Sequence, residues 1–422
     1  MSIAVWIARL ILGGTFILSG VTKMVDPYGT LTKIEAYLGA WGLDGAVAPG
    51  LALVGGCALA MVEFVVGVML ATGSLRRSAA WLALAIMAFM LPLTVYIAVA
   101  DPVEDCGCFG DFLVISNVAT MLKNFVLMVP AVFLAIYNRR ARWLFAPWIQ
   151  WVQIAAAVVF MLILSVIGYH EQPLLDFRAY PVGEPLVDGD DGEVVYVYEK
   201  DGVKREFADD ELPDESDGWE FVDTRVVVAD SGKMLALFDR EDGGEVTDEV
   251  ISSDMPGQMI LLIPHPSAAG AAGSYTANEL QSAMESRFGA GSFIAVTAAD
   301  SVAVADALDL MMATYPVYYA DSKAIMAVAR GEMAVVYLRD GIVAWKRTLS
   351  SINLDRLTAD SDIAEIYAID GPRLFGRLTL AYVAANVVIF IIGLLPFAGR
   401  LRRRRKSAAA TAPAPDSTPE RS

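Results

Sequence analysis

Residues 79–100 read AAWLALAIMAFMLPLTVYIAVA, and residues 114–137 read VISNVATMLKNFVLMVPAVFLAIY. Between them lies the acidic loop Asp101-Pro102-Val103-Glu104-Asp105-Cys106-Gly107-Cys108-Phe109-Gly110-Asp111-Phe112-Leu113. A membrane-spanning helix needs roughly 20 mostly apolar residues. Both runs meet that length, and Lys123 is the one charge in either of them. The stretch therefore predicts two membrane helices, Ala79–Ala100 and Val114–Tyr137, joined by a short loop with two cysteines.

The same test applied outward finds Ile3–Val21, Val47–Ala71, Trp148–Tyr169 and Leu374–Phe397. Hydrophobic residues make up 56% of the 422, and mean hydropathy is +0.50, too apolar for an ordinary soluble protein. The net charge is −17, and its acidic residues concentrate between about Glu171 and Asp370. No basic nucleic-acid footprint is present. The one basic cluster, Arg400 to Lys406, directly follows an apolar run, which places it at a bilayer surface. Two histidines, His170 and His265, exclude a histidine-rich metal site. Three cysteines, Cys57, Cys106 and Cys108, are too few for a disulfide scaffold.

Loop charge sets direction. Arg76 and Arg77, then Arg139, Arg140 and Arg142, then Arg400 to Lys406 mark three loops as cytosolic. The alternate loops carry Asp101, Glu104, Asp105 and Asp111, or the whole acidic domain. Both termini are expected in the cytosol. In a bacterium this makes a multi-pass inner-membrane protein with a periplasmic domain. A cleaved leader fits poorly, because Lys23 follows the first apolar run with no small-x-small site. Ser407 to Ser422 are Ala, Pro and Ser rich and are expected to be disordered.

The acidic domain reads in two parts. Residues 171–256 are β-rich, with strands expected at Val194–Tyr198, Glu220–Val222, Arg225–Val228 and Met234–Leu237. Residues 257–370 alternate: strand Met259–Ile263, helix Asn278–Phe288, strand Ser292–Thr297, helix Val302–Leu310, strand Val317–Tyr319, helix Lys323–Ala329. A hairpin, Ala334–Leu338 and Ile342–Lys346, turns at Arg339-Asp340-Gly341, and a helix near Leu354–Ile366 closes the unit. That order resembles the thioredoxin fold. Its redox chemistry does not follow. The place of the Cys-x-x-Cys holds His265-Pro266-Ser267-Ala268-Ala269-Gly270, and the place of the late proline holds Gly331-Glu332-Met333. A binding or structural module is expected, with His265 a surface residue rather than a general base.

The sharpest motif is Asp105-Cys106-Gly107-Cys108-Phe109-Gly110-Asp111. Two cysteines one residue apart bridge only with strain, and Gly107 lets the backbone bend toward it. Strained, exposed disulfides exchange readily. Asp105 and Asp111 raise thiol pKa values and favour the oxidised pair. Three readings stay open at this point: redox exchange, a structural disulfide, or a soft-metal site. Within the membrane, Glu63 calls for a partner or a function. A Glu63–Lys123 pair is the plainer reading, and proton handling beside a quinone the sharper one. Asn124 is placed to hydrogen-bond across helices, and Cys57 to pack.

The cysteine loop between the third and fourth helices resembles the MauE branch of the DoxX-like membrane proteins, MauE being a methylamine-utilisation protein. Leu18-Ser19-Gly20-Val21-Thr22-Lys23 resembles that family's early Gly-x-x-Lys. Glu63 with Gly67 and Gly73 resembles its Glu and Gly pattern, and Lys123-Asn124 stands where it has Arg-Asn. The resemblance covers about residues 1–140. The whole layout looks like a DoxX/MauE fusion of the Bacteroidota type with a thioredoxin-like outer domain, to which Tyr180-Pro181-Val182-Gly183 and Trp219-Glu220-Phe221-Val222-Asp223 also point.

The expected architecture is thus membrane α-helical: a four-helix DoxX/MauE-like bundle (1–145) and a fifth helix (146–170). The β-rich segment (171–256) and a thioredoxin-like α/β domain (257–370) follow. A sixth helix (371–399) and a basic, then disordered tail (400–422) complete it. The resemblance implies periplasmic thiol–disulfide exchange or maturation of a partner through Cys106 and Cys108, with a periplasmic client or thioredoxin-like protein as partner. The supporting residues are Asp105, Gly107, Asp111, Lys23, Glu63, Lys123 and Asn124. On this reading Cys108→Ala captures a mixed disulfide. The alternative is a non-catalytic assembly protein with a structural disulfide and a partner-binding outer domain.

Overall fold

The computed structural model describes residues 2–43, 45–103, 105–137, 147–187, 193–200, 203–208, 213, 219–227, 235–239, 243–251, 254–265, 271–298, 301–358 and 360–410. The chain divides into two compact units, Met1–Tyr169 with Gly371–Ser422, and His170–Asp370.

The first unit opens with α1 (Ser2–Val25), α2 (Pro27–Ala40), α3 (Pro49–Thr72), α4 (Arg76–Ala100), α5 (Asn117–Tyr137) and α6 (Pro147–His170). Among the described residues, α1, α3, α4, α5 and α6 are long and apolar enough to span a bilayer. A sixth such run, Ile363–Gly393, takes in part of the last helix. Leu12, Phe16, Val66, Leu70, Ala83, Met87, Leu127 and Leu134 form the core shared by α1, α3, α4 and α5. The outside is apolar too: Val54, Phe89, Val99 and Val129 are exposed, as lipid-facing side chains must be.

Glycine brings α1 and α3 together. A Cβ on Gly20 would lie 2.6 Å from the Ala60 carbonyl oxygen, and one on Gly67 would lie 2.8 Å from that of Gly13. Small residues of this kind let helix backbones touch. The α3–α4 turn is tight, and α6 seals it: Gln150 accepts from the Leu75 amide, and the Ser74 hydroxyl donates to Gln153 Oε1, each at 2.8 Å.

The second unit starts with a three-stranded antiparallel sheet of order β2-β1-β3, from β1 (Glu193–Lys200), β2 (Val203–Ala208) and β3 (Glu220–Val227). Here β3 is one strand where the sequence suggested two, and β2 was not anticipated. The short helix α7 (Thr247–Val250) precedes the larger sheet. Its elements are β4 (Gln258–Ile263), α8 (Ala271–Phe288), β5 (Phe293–Ala298), α9 (Ser301–Met311), β6 (Val317–Ala320), α10 (Ser322–Val328), β7 (Ala334–Arg339), β8 (Ile342–Thr348) and α11 (Ile363–Ile366). The strand order is β6-β5-β4-β7-β8, with β4, β5 and β6 parallel and β7 and β8 antiparallel. Asp340 and Gly341 both have positive φ, as the tight β7–β8 hairpin demands.

The central strand β4 is buried along its whole length, because both faces of the sheet are covered. Met259 and Leu261 face a cluster with Leu280, Met284, Trp345 and Tyr367. Ile260 and Leu262 face Ile325 and Val328, together with Tyr180, Leu186, Leu235, Leu237 and Ile251. Residues on both sides of the three-stranded sheet thus enter the core of the larger one, so no break between cores falls at the expected boundary of 256. They also cover its edges: Gly183 N–H donates to Val343 at 2.8 Å, and Phe238 exchanges two hydrogen bonds with Tyr319.

The last helix, α12 (Gly371–Ala410), returns to the first unit, where Tyr382 stacks on Phe160. It does not stop at Phe397 as expected. The helix carries on through Arg400 to Lys406, for which arginine and lysine have ample propensity. The basic loop Arg139, Arg140 and Arg142 and the tail from 411 lie outside the described residues.

Candidate functional site

The cysteine loop is received by α2, an element that the apolar-run reading passed over as loop. Asp26 starts this helix by accepting the Gly29 amide at 2.8 Å, with Pro27 in its first turn. Two α2 side chains then reach the loop. Lys33 forms an ion pair with Asp105, and Tyr37 donates to the Cys106 carbonyl at 2.8 Å. Asp105 also accepts from the Gly107 amide at 3.1 Å. Gly107 has φ +65°, and a Cβ there would meet Lys33 Cγ at 3.0 Å, so both the turn and the space need glycine. Asn117, at the head of α5, donates to Asp101 Oδ1 and to the Val103 carbonyl, both at 2.8 Å. Asp111 stands in the short 3-10 turn Gly110–Phe112 that follows.

So held, Cys106 and Cys108 are free thiols with sulfurs 2.9 Å apart. Cys106 is buried, at 8% exposure, and Cys108 is half-buried. Beneath them, Ser19 Oγ lies 2.7 Å from the Cys108 carbonyl oxygen and 2.8 Å from Glu63 Oε2. Lys23 Nζ reaches both Glu63 oxygens, at 2.9 and 2.8 Å. This corrects the expected Glu63–Lys123 pair. The glycine contact between α1 and α3 sets Lys23 directly against Glu63. Lys123 instead lies 4.2 Å over the Phe109 ring. Asn124 donates to Thr94 Oγ1 at 3.3 Å, joining α5 to α4. Cys57 sits apart, accepting from Ser165 of α6 at 3.7 Å.

Ser19, Glu63, Cys108, Phe109, Lys123 and Asn124 share one cavity of about 30 Å³. That is room for about one water molecule. A quinone ring does not fit beside Glu63 in a cavity of this size.

The two sulfurs differ in their electrostatics. The hydrogen bond from the Cys106 thiol is the largest influence pulling Cys108 down to about 7; burial opposes it, and the Lys123 and Lys23 ammoniums assist it. Cys106 is pushed up by the same contact, by burial and by the neighbouring negative sulfur. Of the two sulfurs, Cys108 is the one that gives up its proton more readily. This reverses the expectation that Asp105 and Asp111 disfavour a thiolate. Asp105 spends its charge on Lys33, while two lysines from the bundle act on the sulfur.

The structure thus gathers Cys106, Cys108, Asp105, Gly107, Lys23, Glu63, Lys123 and Asn124 at one end of the bundle. It adds Ser19, Lys33, Tyr37 and Phe109, whose roles the sequence reading did not identify. The signal for α2 was present in Asp26-Pro27, a helix start. In the second unit, His265 is exposed after β4 and residues 266–270 lie outside the described residues. Among the described residues, no group of three or more His, Cys, Asp or Glu is arranged for a metal.

Residues 1–137, which span α1 to α5 and the cysteine loop, match the family model described as methylamine utilisation protein MauE. Residues 192–230, which contain the three-stranded sheet, match a domain of unknown function, DUF8463. Comparison with curated proteins and with solved structures found no match.

Proposed function

We propose that this MauE-like bundle exchanges disulfides with a partner protein through Cys106 and Cys108. One observation carries the reading: two free thiols in contact, of which the more exposed is the more acidic. A low-pKa, accessible thiolate is the attacking group in such chemistry. The Cys108 thiolate attacks one sulfur of a partner disulfide, and the partner's other sulfur leaves as a thiolate and takes a proton from water. The Cys106 thiol gives its proton to water and attacks the Cys108 sulfur, which releases the partner's second thiolate. Run in reverse, the same steps place a disulfide in a partner dithiol. That direction fits maturation of a client in methylamine utilisation.

The distribution of basic residues supports an orientation. Arg76 and Arg77 begin α4 at the end of the bundle opposite the cysteine loop, and Arg400 to Lys406 end α12. Basic ends face the cytosol as a rule, which supports a periplasmic side for the cysteines and the second unit in a bacterium. The second unit is read as thioredoxin-like. A parallel β4-α8-β5 unit followed by the antiparallel β7–β8 hairpin and α11 in one sheet supports that reading. Lacking cysteines, it serves to dock the partner.

Thiol trapping in intact cells tests this. Because Cys108 is the attacking sulfur, Cys106→Ser should accumulate a mixed disulfide at Cys108, the opposite of the Cys108→Ala trap expected from sequence. A permanently bridged pair, with normal partner maturation in the double Cys→Ser variant, would instead establish the assembly-protein reading.

A further inference from the structure

We infer that Lys123 is the positioning residue that keeps Cys108 in its attacking form, by placing a positive charge on the inner side of the cysteine pair. The inference rests on the exchange reading above. It comes from accounting for every charge around the sulfurs. From α1 comes Lys23, and from α3 Glu63; these neutralise each other through two short contacts. From α2 come Lys33 and Tyr37; Lys33 is matched by Asp105, and Tyr37 hydrogen-bonds the Cys106 carbonyl. The loop adds Asp105 and Asp111. From α4 comes the neutral Thr94, and from α5 Asn124, which bonds it.

Asp111 stands in the 3-10 turn Gly110–Phe112, and the cation of this set outside the two ion pairs is Lys123. Among the described residues no carboxylate pairs with it, and its contact is the face of Phe109, the residue next to Cys108. It lines the same small cavity as Cys108. A half-buried ammonium in this low-dielectric place needs a counter-charge. The sulfur supplies one only as a thiolate. In the disulfide that charge is gone, so Lys123 favours the reduced pair. The reaction it promotes is pair disulfide plus partner dithiol giving Cys106 thiol, Cys108 thiolate, partner disulfide and one proton released to water. Lys123 acts by charge alone.

The test uses the full-length protein in membrane vesicles. In a Cys57→Ala, Cys106→Ser background, iodoacetamide alkylation of Cys108 is followed against pH. Lys123→Met should raise the alkylation midpoint by about one pH unit or more, which slows alkylation about tenfold below it. Lys123→Arg, which restores the charge, should return the midpoint to that of the parent, as a mere packing role would not require. With both redox cysteines present, Lys123→Met should shift the equilibrium with a glutathione buffer at least about fivefold toward the disulfide. Lys123→Gln repeats both measurements should the Met variant fold poorly. An unchanged midpoint in Lys123→Met and Lys123→Gln overturns the assignment. A Lys123-dependent midpoint in a protein that never exchanges with glutathione would overturn the exchange reading and leave the role of Lys123 standing.

Discussion

Both units bury charge, and they do so to different ends. In the second unit two carboxylates hold three cations in direct ion pairs. Asp176 accepts from Arg178 at 2.6 and 2.9 Å and from Lys346 at 2.9 Å. Arg347 donates to Glu171 at 2.7 Å. These pairs tie the chain entering the unit to β8. Beside the cysteines of the first unit, Lys23 and Lys33 are paired with Glu63 and Asp105, whereas Lys123 lies over the Phe109 ring. Ions in direct contact with one another hold a fold together; a cation beside a polarisable sulfur alters that sulfur's chemistry.

The largest effect should come from the sulfur itself. Cys108→Ser is expected to abolish exchange with a disulfide probe, whereas Cys57→Ser should leave it intact, as followed by differential alkylation and mass. Next comes the buried pair beneath it. Glu63→Ala strands Lys23 in the bundle and should cost about 3–5 kcal/mol, read as a lower unfolding midpoint in detergent. Joint replacement, Lys23→Met with Glu63→Met, should recover most of that loss, which a catalytic role of Glu63 alone would not predict.

The second unit gives the matching experiment on a directly paired ion set. Burial alone would raise the Asp176 carboxyl, but Arg178 and Lys346 pull it down to about 2. Its folded value is below its unfolded one, so its contribution is present above pH ~4 and is lost as pH falls toward ~2. Asp176→Asn should remove about 2 kcal/mol at neutral pH and flatten that acid limb without changing cysteine reactivity. The smallest effect is expected from Tyr37→Phe, which removes one hydrogen bond to the Cys106 carbonyl and should cost about 1 kcal/mol, seen as faster hydrogen exchange in the loop.

How much of this could be read from the chain depends on range. Long apolar runs declare themselves, so the spanning helices stand close to where the sequence put them. The hairpin at Arg339-Asp340-Gly341 was equally legible, because its turn needs positive φ at adjacent residues. α2 was missed because Pro27–Ala40 is short and only weakly apolar, and β2 because Val203-Lys204-Arg205-Glu206-Phe207-Ala208 is half charged. The cysteine motif was visible, but not the sign of its environment. Lys23 and Glu63 are 40 residues apart and meet only through the glycine contact of α1 with α3. Asp105 and Asp111 are near in sequence and drew attention. The lysines that assist the Cys106 hydrogen bond come from separate helices.

The central claim is that Cys108 attacks and Cys106 resolves. The most direct measurement is acid-quenched, differentially alkylated protein from cells carrying Cys106→Ser and, separately, Cys108→Ser, resolved by mass. The account predicts a covalent adduct with a partner protein at Cys108 in the first variant and little or none at Cys106 in the second. Adducts of equal yield in both variants, or in neither, would contradict it.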